Sequence, residues 1–208
     1  MHMNKLPDKT VERLSQYRRT LLLSLTGGKH HIFSHEIAAL IHITPVQVRR
    51  DIMLIGYSAT LRLGYDVKEL INVIGTIIDT KDGQNVAVIG IGNLGRSIIG
   101  YFNGKRTKLS IVAAFDTNPE KIDRLYVGVK CYHFDRLAEI VKNEDISIAI
   151  LTVPASEAKR IAEALVMTGI KGILNFTPQP INVPAQVYLQ EYDMITSLEK
   201  VAYFVKQK

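Results

Sequence analysis

Cysteine is almost absent from this chain, and long apolar runs are missing altogether. Cys131 is the single cysteine in 208 residues, so a disulfide framework is excluded, and such usage is typical of the reducing cytoplasm. No uncharged apolar stretch reaches the about 18 residues that a membrane helix needs, and the N-terminus lacks the apolar core of a secretory signal. We therefore expect a cytoplasmic protein without a membrane partner, with Cys131 packed in a short strand.

Histidines and charges are too dispersed to define a metal site or a dominant partner. Five of the six histidines fall in the first 80 residues, at spacings that match no ligand set, so no metal is predicted. The net charge is +6. Residues 1–80 contribute 10 basic against 7 acidic side chains and residues 81–208 contribute 16 against 13, so each part carries +3. This balance allows a nucleic-acid partner but does not argue for one.

The most informative stretch lies between residues 85 and 116. A β-branched apolar run at 85–89 leads into a G-x-G-x-x-G motif, a helical pattern follows, and a second apolar run ends in Asp116. In a dinucleotide fold the glycines give a tight turn, close backbone approach to a pyrophosphate and close helix packing. Asp116 can bind both ribose hydroxyls and would repel a 2′-phosphate, which favours NADH and NAD as cofactors. A glycine-rich turn of another parallel-sheet protein is the alternative. The predicted loop comprises Gly90, Ile91, Gly92, Asn93, Leu94, Gly95 and Arg96.

Strand and helix patterns alternate through the rest of the C-terminal part, which predicts an α/β, doubly wound parallel sheet of Rossmann type. Helices are expected from residue 117, at 135–142 and at 156–168, and strands at 128–132, 146–153, 172–175 and 187–191. Ligands of such sheets bind at the carboxyl ends of the strands. The nicotinamide end of the cofactor is therefore predicted near two loops, although each could be an ordinary connection. These loops contain Thr152, Val153 and Pro154, and Asn175, Phe176 and Thr177.

Residues 1–80 predict a winged helix that contains a helix-turn-helix. Asp8 or Thr10 can cap a first helix that runs to about residue 25, and Ser34 can cap a short second one. Thr44, Pro45 and Gln47 form a capping-box pattern for a third helix, whose Val48, Ile52 and Ile55 should face inward and leave Gln47, Arg49, Arg50 and Met53 outside. Residues 57–65 suit a wing, and Asp66 can cap a further helix. A small helical oligomerisation domain is the alternative. The predicted DNA contacts are Thr44, Gln47, Arg49, Arg50, Tyr57 and Arg62.

The last helix pattern is too apolar for a free tail. Thr196 and Glu199 suggest its capping box, and Leu198, Val201 and Phe204 must pack on the same chain or on a partner subunit. We predict three parts: a winged-helix DNA-binding domain at 1–80, a Rossmann NAD(H)-binding domain at 81–190, and a C-terminal dimerisation helix at 191–208, exchanged between subunits if it docks on the partner.

The whole pattern resembles the Rex family of redox-sensing transcriptional repressors. The resemblance is carried by residues 48–51, Gly56, residues 64–65, 90–95 and 172–176, and the ending from Asp193 to Leu198. It implies a bacterial homodimer that binds pseudo-palindromic operator DNA and releases it when NADH binds. It also implies an inter-domain polar network of Arg19, Tyr101 and Asp193. Residues 53–54 and 59–62 depart from the family pattern, which leaves the operator sequence open.

Two other functions compete with this interpretation. An NAD-dependent oxidoreductase would need an acid–base group and a substrate domain, yet His133 is the only histidine of the Rossmann part, and no substrate domain follows residue 185. A nucleotide- or CoA-binding subunit of a larger enzyme is disfavoured by Asp116 and by the winged helix. The sequence thus predicts a transcriptional repressor and not an enzyme.

Overall fold

The computed structural model describes residues 6–58, 63–102 and 108–206. The chain forms two compact units, Met1–Lys81 and Asp82–Lys208, and each unit has its own apolar core.

The first unit is a bundle of short helices with a two-stranded ribbon. Leu14, Tyr17 and Leu21 are fully buried along one side of the first helix and pack in one core with Val48 and Ile52. The predicted first helix is thus present. The ribbon is antiparallel, and the predicted wing at 57–65 lies partly outside the described residues. Its elements are α1 (Asp8–Thr26), β1 (His31–Ile32), α2 (Ser34–Ile41), α3 (Pro45–Leu54), β2 (Tyr65–Asp66) and α4 (Val67–Ile78).

Of the four helix caps predicted in this unit, two are present in the structure and two are not. The hydroxyl of Thr44 accepts the backbone N–H of Gln47 at 3.2 Å, and the carboxylate of Asp66 accepts that of Glu69 at 2.7 Å. No side chain caps α1, which begins after Pro7. Ser34 is also not a cap, because it is the first residue of α2. The backbone N–H of Phe33, which precedes the helix, donates to the carboxylate of Glu36 at 2.8 Å.

The second unit is a seven-stranded sheet in the order β5-β6-β4-β3-β7-β8-β9, parallel except for the pair β5 and β6. The central strand β3 buries Ala87 and Ile89 in one core and Val86 and Val88 in another, so helices cover both faces. The predicted doubly wound sheet is confirmed. Its elements are β3 (Gln84–Ile89), α5 (Asn93–Phe102), β4 (Leu109–Asp116), β5 (Leu125–Tyr126), β6 (Val129–His133), α6 (Leu137–Asn143), β7 (Ile146–Leu151), α7 (Ala155–Met167), β8 (Gly172–Asn175), β9 (Tyr188–Glu191) and α8 (Met194–Lys206).

One predicted helix of this unit is absent, and another begins at a different residue from the one predicted. No helix follows Thr117; instead the side chain of Asn118 accepts the N–H of Glu120 at 2.9 Å and closes a turn that leads to β5. The last helix begins at Met194 rather than near Thr196, because Asp193 caps it. None of the residues of α8 is buried.

Candidate nucleotide site and nucleic-acid interface

The loop after β3 has the geometry that the glycine motif predicts. Gly90 adopts a φ of +94°, and a Cβ there would lie 2.7 Å from the carbonyl oxygen of Thr152. A Cβ at Gly95 would lie 2.1 Å from the carbonyl oxygen of Gly90, so this glycine brings α5 close to its strand. A Cβ at Gly92 would meet no atom of the described chain within 4 Å. Two glycines are therefore required by the fold, whereas the middle one leaves open space beside the start of α5.

Asp116 lies at the end of β4, next to this loop, and is held by three donors. Its Oδ2 accepts the backbone N–H of Ile91 at 2.7 Å and the ammonium of Lys121 at 2.9 Å, and its Oδ1 accepts the N–H of Asn118 at 2.9 Å. Burial acts to raise the pKa of the Asp116 carboxyl, but the hydrogen bonds from Asn118, Lys121 and Ile91 outweigh it and lower the pKa. The carboxylate is thus charged and fixed beside the loop.

The remaining loop residues differ in exposure. Ile91 is fully buried and Leu94 is half-buried, whereas Asn93 and Arg96 are exposed. The guanidinium of Arg96 lies 5.4 Å from the ring centre of Tyr126, and its Nε is 3.4 Å from the carbonyl oxygen of Ile91. Arg96 is thereby held along the side of the loop.

The segment after β7 braces the glycine loop from its other side. The hydroxyl of Thr152 donates to the carbonyl oxygens of Ile89 at 3.0 Å and of Gly90 at 2.8 Å. Val153 is half-buried and Pro154 is exposed. The structure therefore brings Thr152 and Val153 against the loop, and the hydroxyl of Thr152 fixes the loop backbone.

The segment after β8 is largely self-contained. Asn175 is 1 % exposed; its Oδ1 accepts the N–H and the hydroxyl of Thr177 at 2.9 and 2.8 Å, and its Nδ2 donates to the carbonyl oxygen of Gln179 at 2.9 Å. Phe176 is half-buried, and its ring centre lies 5.1 Å from that of Tyr192. Of the three predicted residues, only Phe176 presents its side chain to the surface.

The third helix carries two exposed arginines. Arg50 is exposed, and Arg49 donates from its guanidinium to the hydroxyl of Ser34 at 3.0 Å. Tyr57 donates to the carboxylate of Glu69 at 2.8 Å, and burial together with this bond raises the pKa of Tyr57 to about 12. Thr44 is exposed and acts as the helix cap. Arg62 lies outside the described residues.

Gln47 departs from its predicted outward position. Its side chain is half-buried and donates to Oδ1 of Asp51 at 2.9 Å. Asp51, 2 % exposed, also accepts two bonds from Arg13 at 2.6 and 2.8 Å and one from the hydroxyl of Tyr17 at 2.7 Å. Burial acts to raise the pKa of Asp51, but these bonds lower it. This cluster was not predicted. Its one sign in the sequence is Asp51 itself, an acidic residue on the inward, apolar side of α3.

The three residues of the implied switch lie on separate elements. Arg19 is exposed on α1 in the first unit. In the second unit, Tyr101 is 62 % exposed near the end of α5, and Asp193 accepts the N–H of Ile195 and the hydroxyl of Thr196 at 2.9 and 2.6 Å. Their joint role stays a prediction.

Residues 6–58, 63–102 and 108–206 lack two features of other protein classes. No helix in these ranges has the length and apolar character to cross a membrane, and no cluster of histidine, cysteine, aspartate and glutamate side chains in them could hold a metal ion.

Known proteins match both units. Residues 5–52 match a family described as "Putative DNA-binding protein N-terminus", and residues 80–179 match the family "CoA binding domain". The redox-sensing transcriptional repressor Rex of Lactobacillus acidophilus is 37 % identical over 205 residues, 99 % of this chain and 97 % of that protein. Its counterpart from Bacillus licheniformis is 37 % identical over 206 residues, 99 % and 96 % of the two chains.

Solved structures of a Rex-family repressor also match nearly the whole chain. The structure of RSP, a Rex-family repressor, in complex with beta-NAD+ and operator DNA superposes with a TM-score of 0.88 at 29 % identity, over 98 % of this chain and 94 % of that one. The structure of RSP in complex with beta-NADH gives a TM-score of 0.87 at 28 % identity, over 98 % and 96 %.

Fold and site together define a class of regulatory proteins in which a winged helix is joined to a dinucleotide-type Rossmann unit. Within that class the assignment is specific, because the similarity spans nearly the whole chain. The chain belongs to the Rex family of redox-sensing transcriptional repressors. The predicted family and fold class are confirmed.

Proposed function

We propose that this protein is a homodimeric repressor that binds operator DNA through its first unit and releases the DNA when NADH binds its second unit. The observation that carries the proposal is the open space at Gly92, with the charged Asp116 beside it. The binding of beta-NAD+, beta-NADH and operator DNA by the related RSP supports it.

The nucleotide role follows from the chemistry around the loop. The first N–H groups of α5 and the positive end of its dipole favour a diphosphate in the space beside Gly92. Three of the about four acceptor positions of the Asp116 carboxylate are occupied, which leaves one, on Oδ1, for a ribose hydroxyl. Its charge opposes a ribose that carries a phosphate, as CoA does. We therefore assign NADH and NAD as ligands in preference to CoA. Thr152 braces Gly90, and Phe176, which is half-buried, is the apolar side chain that directly follows β8.

The DNA role rests on α3. Its two exposed arginines, Arg49 and Arg50, can bind guanine edges or phosphates. Thr44 and Tyr57 serve the fold through their cap and their bond to Glu69, and either can still present a hydroxyl to a phosphate. We assign Arg62 a phosphate contact from the sequence alone.

The dimer rests on α8. Leu198, Val201 and Phe204 are 57–68 % exposed in a single chain, and an apolar helix face of this kind is stable only when it is covered. We propose that a second copy covers it, and that Arg19, Tyr101 and Asp193 pair in only one arrangement of the two units. A charge pair present in one state alone stabilises that state and so changes the fraction of molecules that can bind DNA.

An oxidoreductase is the competing function. The relatives are transcriptional repressors. In this chain His133 receives the N–H of Asp135 on its Nδ1 at 3.2 Å and stands at the end of β6, beyond β4 from the glycine loop. The two acid–base groups described beside the loop, Asp116 and Lys121, are paired with each other at 2.9 Å, so we assign no catalytic residue.

The deciding experiment is a fluorescence-anisotropy titration of pseudo-palindromic promoter fragments, alone, with NADH and with NAD, at fixed salt. Linkage requires that NADH and DNA weaken each other by the same factor, commonly ~5–150-fold. Gly92→Ala should keep the stability and DNA affinity of the wild type but lose the response to NADH, because its methyl group occupies only the ligand's space. Gly100→Ala is the matched control, since a Cβ there meets only the Val127 side chain at 3.9 Å.

Each outcome discriminates between functions. Release by NADH but not by NAD establishes the redox sensor. Tight DNA binding that ignores both nucleotides leaves a repressor without the sensor. Binding of CoA, with no binding of NADH, would restore the subunit alternative. A Gly92→Ala variant that still responds to NADH would show that the diphosphate lies elsewhere.

A further inference from the structure

The outer face of α3 combines charge with apolar surface. Val48 and Ile52 are fully buried. The opposite side presents Val46, which is 47 % exposed, and Met53, which is 72 % exposed, together with two exposed arginines. Val46 and Met53 are seven residues apart, which places them within about 20° around the helix axis and about 10 Å apart along it. They form one stripe with Arg49 and Arg50 between them.

The single amide on this helix is already in use. Gln47 donates one N–H of its amide to the buried Asp51 at 2.9 Å, so its half-buried side chain is directed towards Asp51 and not towards a base edge beyond the outer face. The two arginines suit guanine and phosphate. The described outer face of α3 therefore has no side chain whose hydrogen bonds would select an A·T pair.

An A·T pair offers one apolar feature in the major groove, the C5 methyl group of thymine. Single exposed apolar residues are ordinary on protein surfaces, but here two of them flank the two cations that α3 would bring to a duplex. We propose that Val46 and Met53 contact thymine methyl groups and thereby determine the operator specificity of this chain. Their axial separation corresponds to about three base-pair steps at ~3.4 Å each. The proposal rests on the DNA-binding function proposed above.

The test removes the methyl group from the DNA and the side chain from the protein. An operator is selected from a randomised duplex library, and each thymine is replaced singly by deoxyuridine, which lacks only the C5 methyl. Dissociation constants are measured at fixed salt for the wild type, Met53→Ala and Val46→Ala. Met167→Ala is the matched control, because Met167 is 87 % exposed but lies on α7 in the other unit.

For the wild type, deoxyuridine at the contacted thymine should weaken binding about fourfold, the factor expected for one methyl group removed from water. Met53→Ala should weaken binding of the thymine operator to a similar extent and become indifferent to deoxyuridine at that position. Val46→Ala should do the same about three base pairs away. The salt dependence should stay unchanged, because no phosphate contact is lost, and Met167→Ala should behave as the wild type.

Two results would overturn the proposal: a wild type that ignores every deoxyuridine, or a Met53→Ala variant that keeps the wild-type pattern of sensitivity. A Met53→Ala variant with normal DNA affinity but an altered sedimentation coefficient would identify the stripe as a protein contact and would also contradict it. If the wild type selects no duplex at all, the proposed DNA-binding function fails first, and this inference falls with it.

Discussion

Asp51 offers the sharpest test of how the first unit is held together. Replacing it by asparagine keeps the volume of the side chain but removes its charge. In the wild type its carboxylate, 3 % exposed, accepts four hydrogen bonds, two of them from Arg13. Asp51→Asn therefore leaves a guanidinium without its counter-ion at a largely buried site.

The expected cost follows from the burial of the two partners. Removal of one member of a buried ion pair costs about 3–5 kcal/mol. Arg13 keeps a 21 % exposed side chain and Tyr17 can still donate to the amide oxygen, so we expect the lower limit, about 3 kcal/mol. That is roughly a hundredfold rise in the unfolded population, and a large share of the ~5–15 kcal/mol that stabilises a typical domain.

The assay is urea unfolding followed by far-ultraviolet circular dichroism, with hydrogen exchange resolving the amides of α1 and α3. Both helices should exchange faster in Asp51→Asn, whereas NADH affinity should be unchanged. Glu12→Gln is the matched control, because Glu12 is an exposed carboxylate on α1 whose contact with Lys9 is 3.5 Å long and should cost below about 1 kcal/mol. Equal stability of the two variants would refute the argument.

The same contacts set a pH dependence. Because the pKa of Asp51 is lowered in the folded protein, its contribution is complete above the unfolded pKa and is lost as the pH falls through the folded value. The stability difference between the wild type and Asp51→Asn should therefore stay constant at neutral pH and shrink only below about pH 4. A difference that shrank between pH 6 and 8 would point to another group.

Three further predictions concern separate sites. Asp79→Asn should cost about 3 kcal/mol in urea unfolding, because Arg18 is 8 % exposed and pairs with both carboxylate oxygens of Asp79 at 2.7 Å. Arg18→Met should cost less, because it also removes a buried Nε that has no partner in the described residues. Burial, together with the charge of Asp116, raises the pKa of Cys131 to about 11, so an aromatic disulfide reagent at pH 8 should leave the native thiol unmodified and label one thiol per chain in denaturant. Leu198→Asp with Phe204→Asp should convert the proposed dimer into monomers in sedimentation equilibrium.

These three predictions fail in different ways. Arg18→Met as damaging as Asp79→Asn would mean that the aliphatic packing of the arginine, and not its charge, dominates. Rapid labelling of the native thiol would show that β6 opens readily. A doubly substituted α8 that stays dimeric would place the interface elsewhere, with Tyr203→Ser on the same helix as a less severe comparison.

The nucleotide loop was predictable because its signals are local. Strand, glycines, helix and acid follow one another within residues 84–116. The close packing at Gly95 is also local, because a Cβ there would meet the carbonyl oxygen of Gly90, whereas the restriction at Gly90 comes from Thr152 after β7. The turn at Asn118 was mistaken for a helix start because the same side chain closes either structure. Here the carboxylate of Asp116 takes the N–H of Asn118 and fixes the turn.

The orientation of the Gln47 side chain could not be predicted, because it depends on residues that are distant in the chain. Its orientation depends on Asp51, and the position of Asp51 depends on Arg13, which is 38 residues away in the chain. A helical period shows which side faces inward, but not which polar group on its border finds a partner. Asn175 and Thr177 are a local case, because their side chains bond to each other two residues apart in the loop after β8.

The bonds to Asp51 also have a mechanical consequence. Arg13 and Tyr17, which grip α3, lie on the same 19-residue helix as Arg19. Because these three residues lie on one continuous helix, a displacement of α1 at Arg19 would also move α3 through the bonds to Asp51. If the proposed switch acts on Arg19, its effect would reach α3, the helix proposed to contact DNA, as a rigid-body displacement, and no helix would have to unfold.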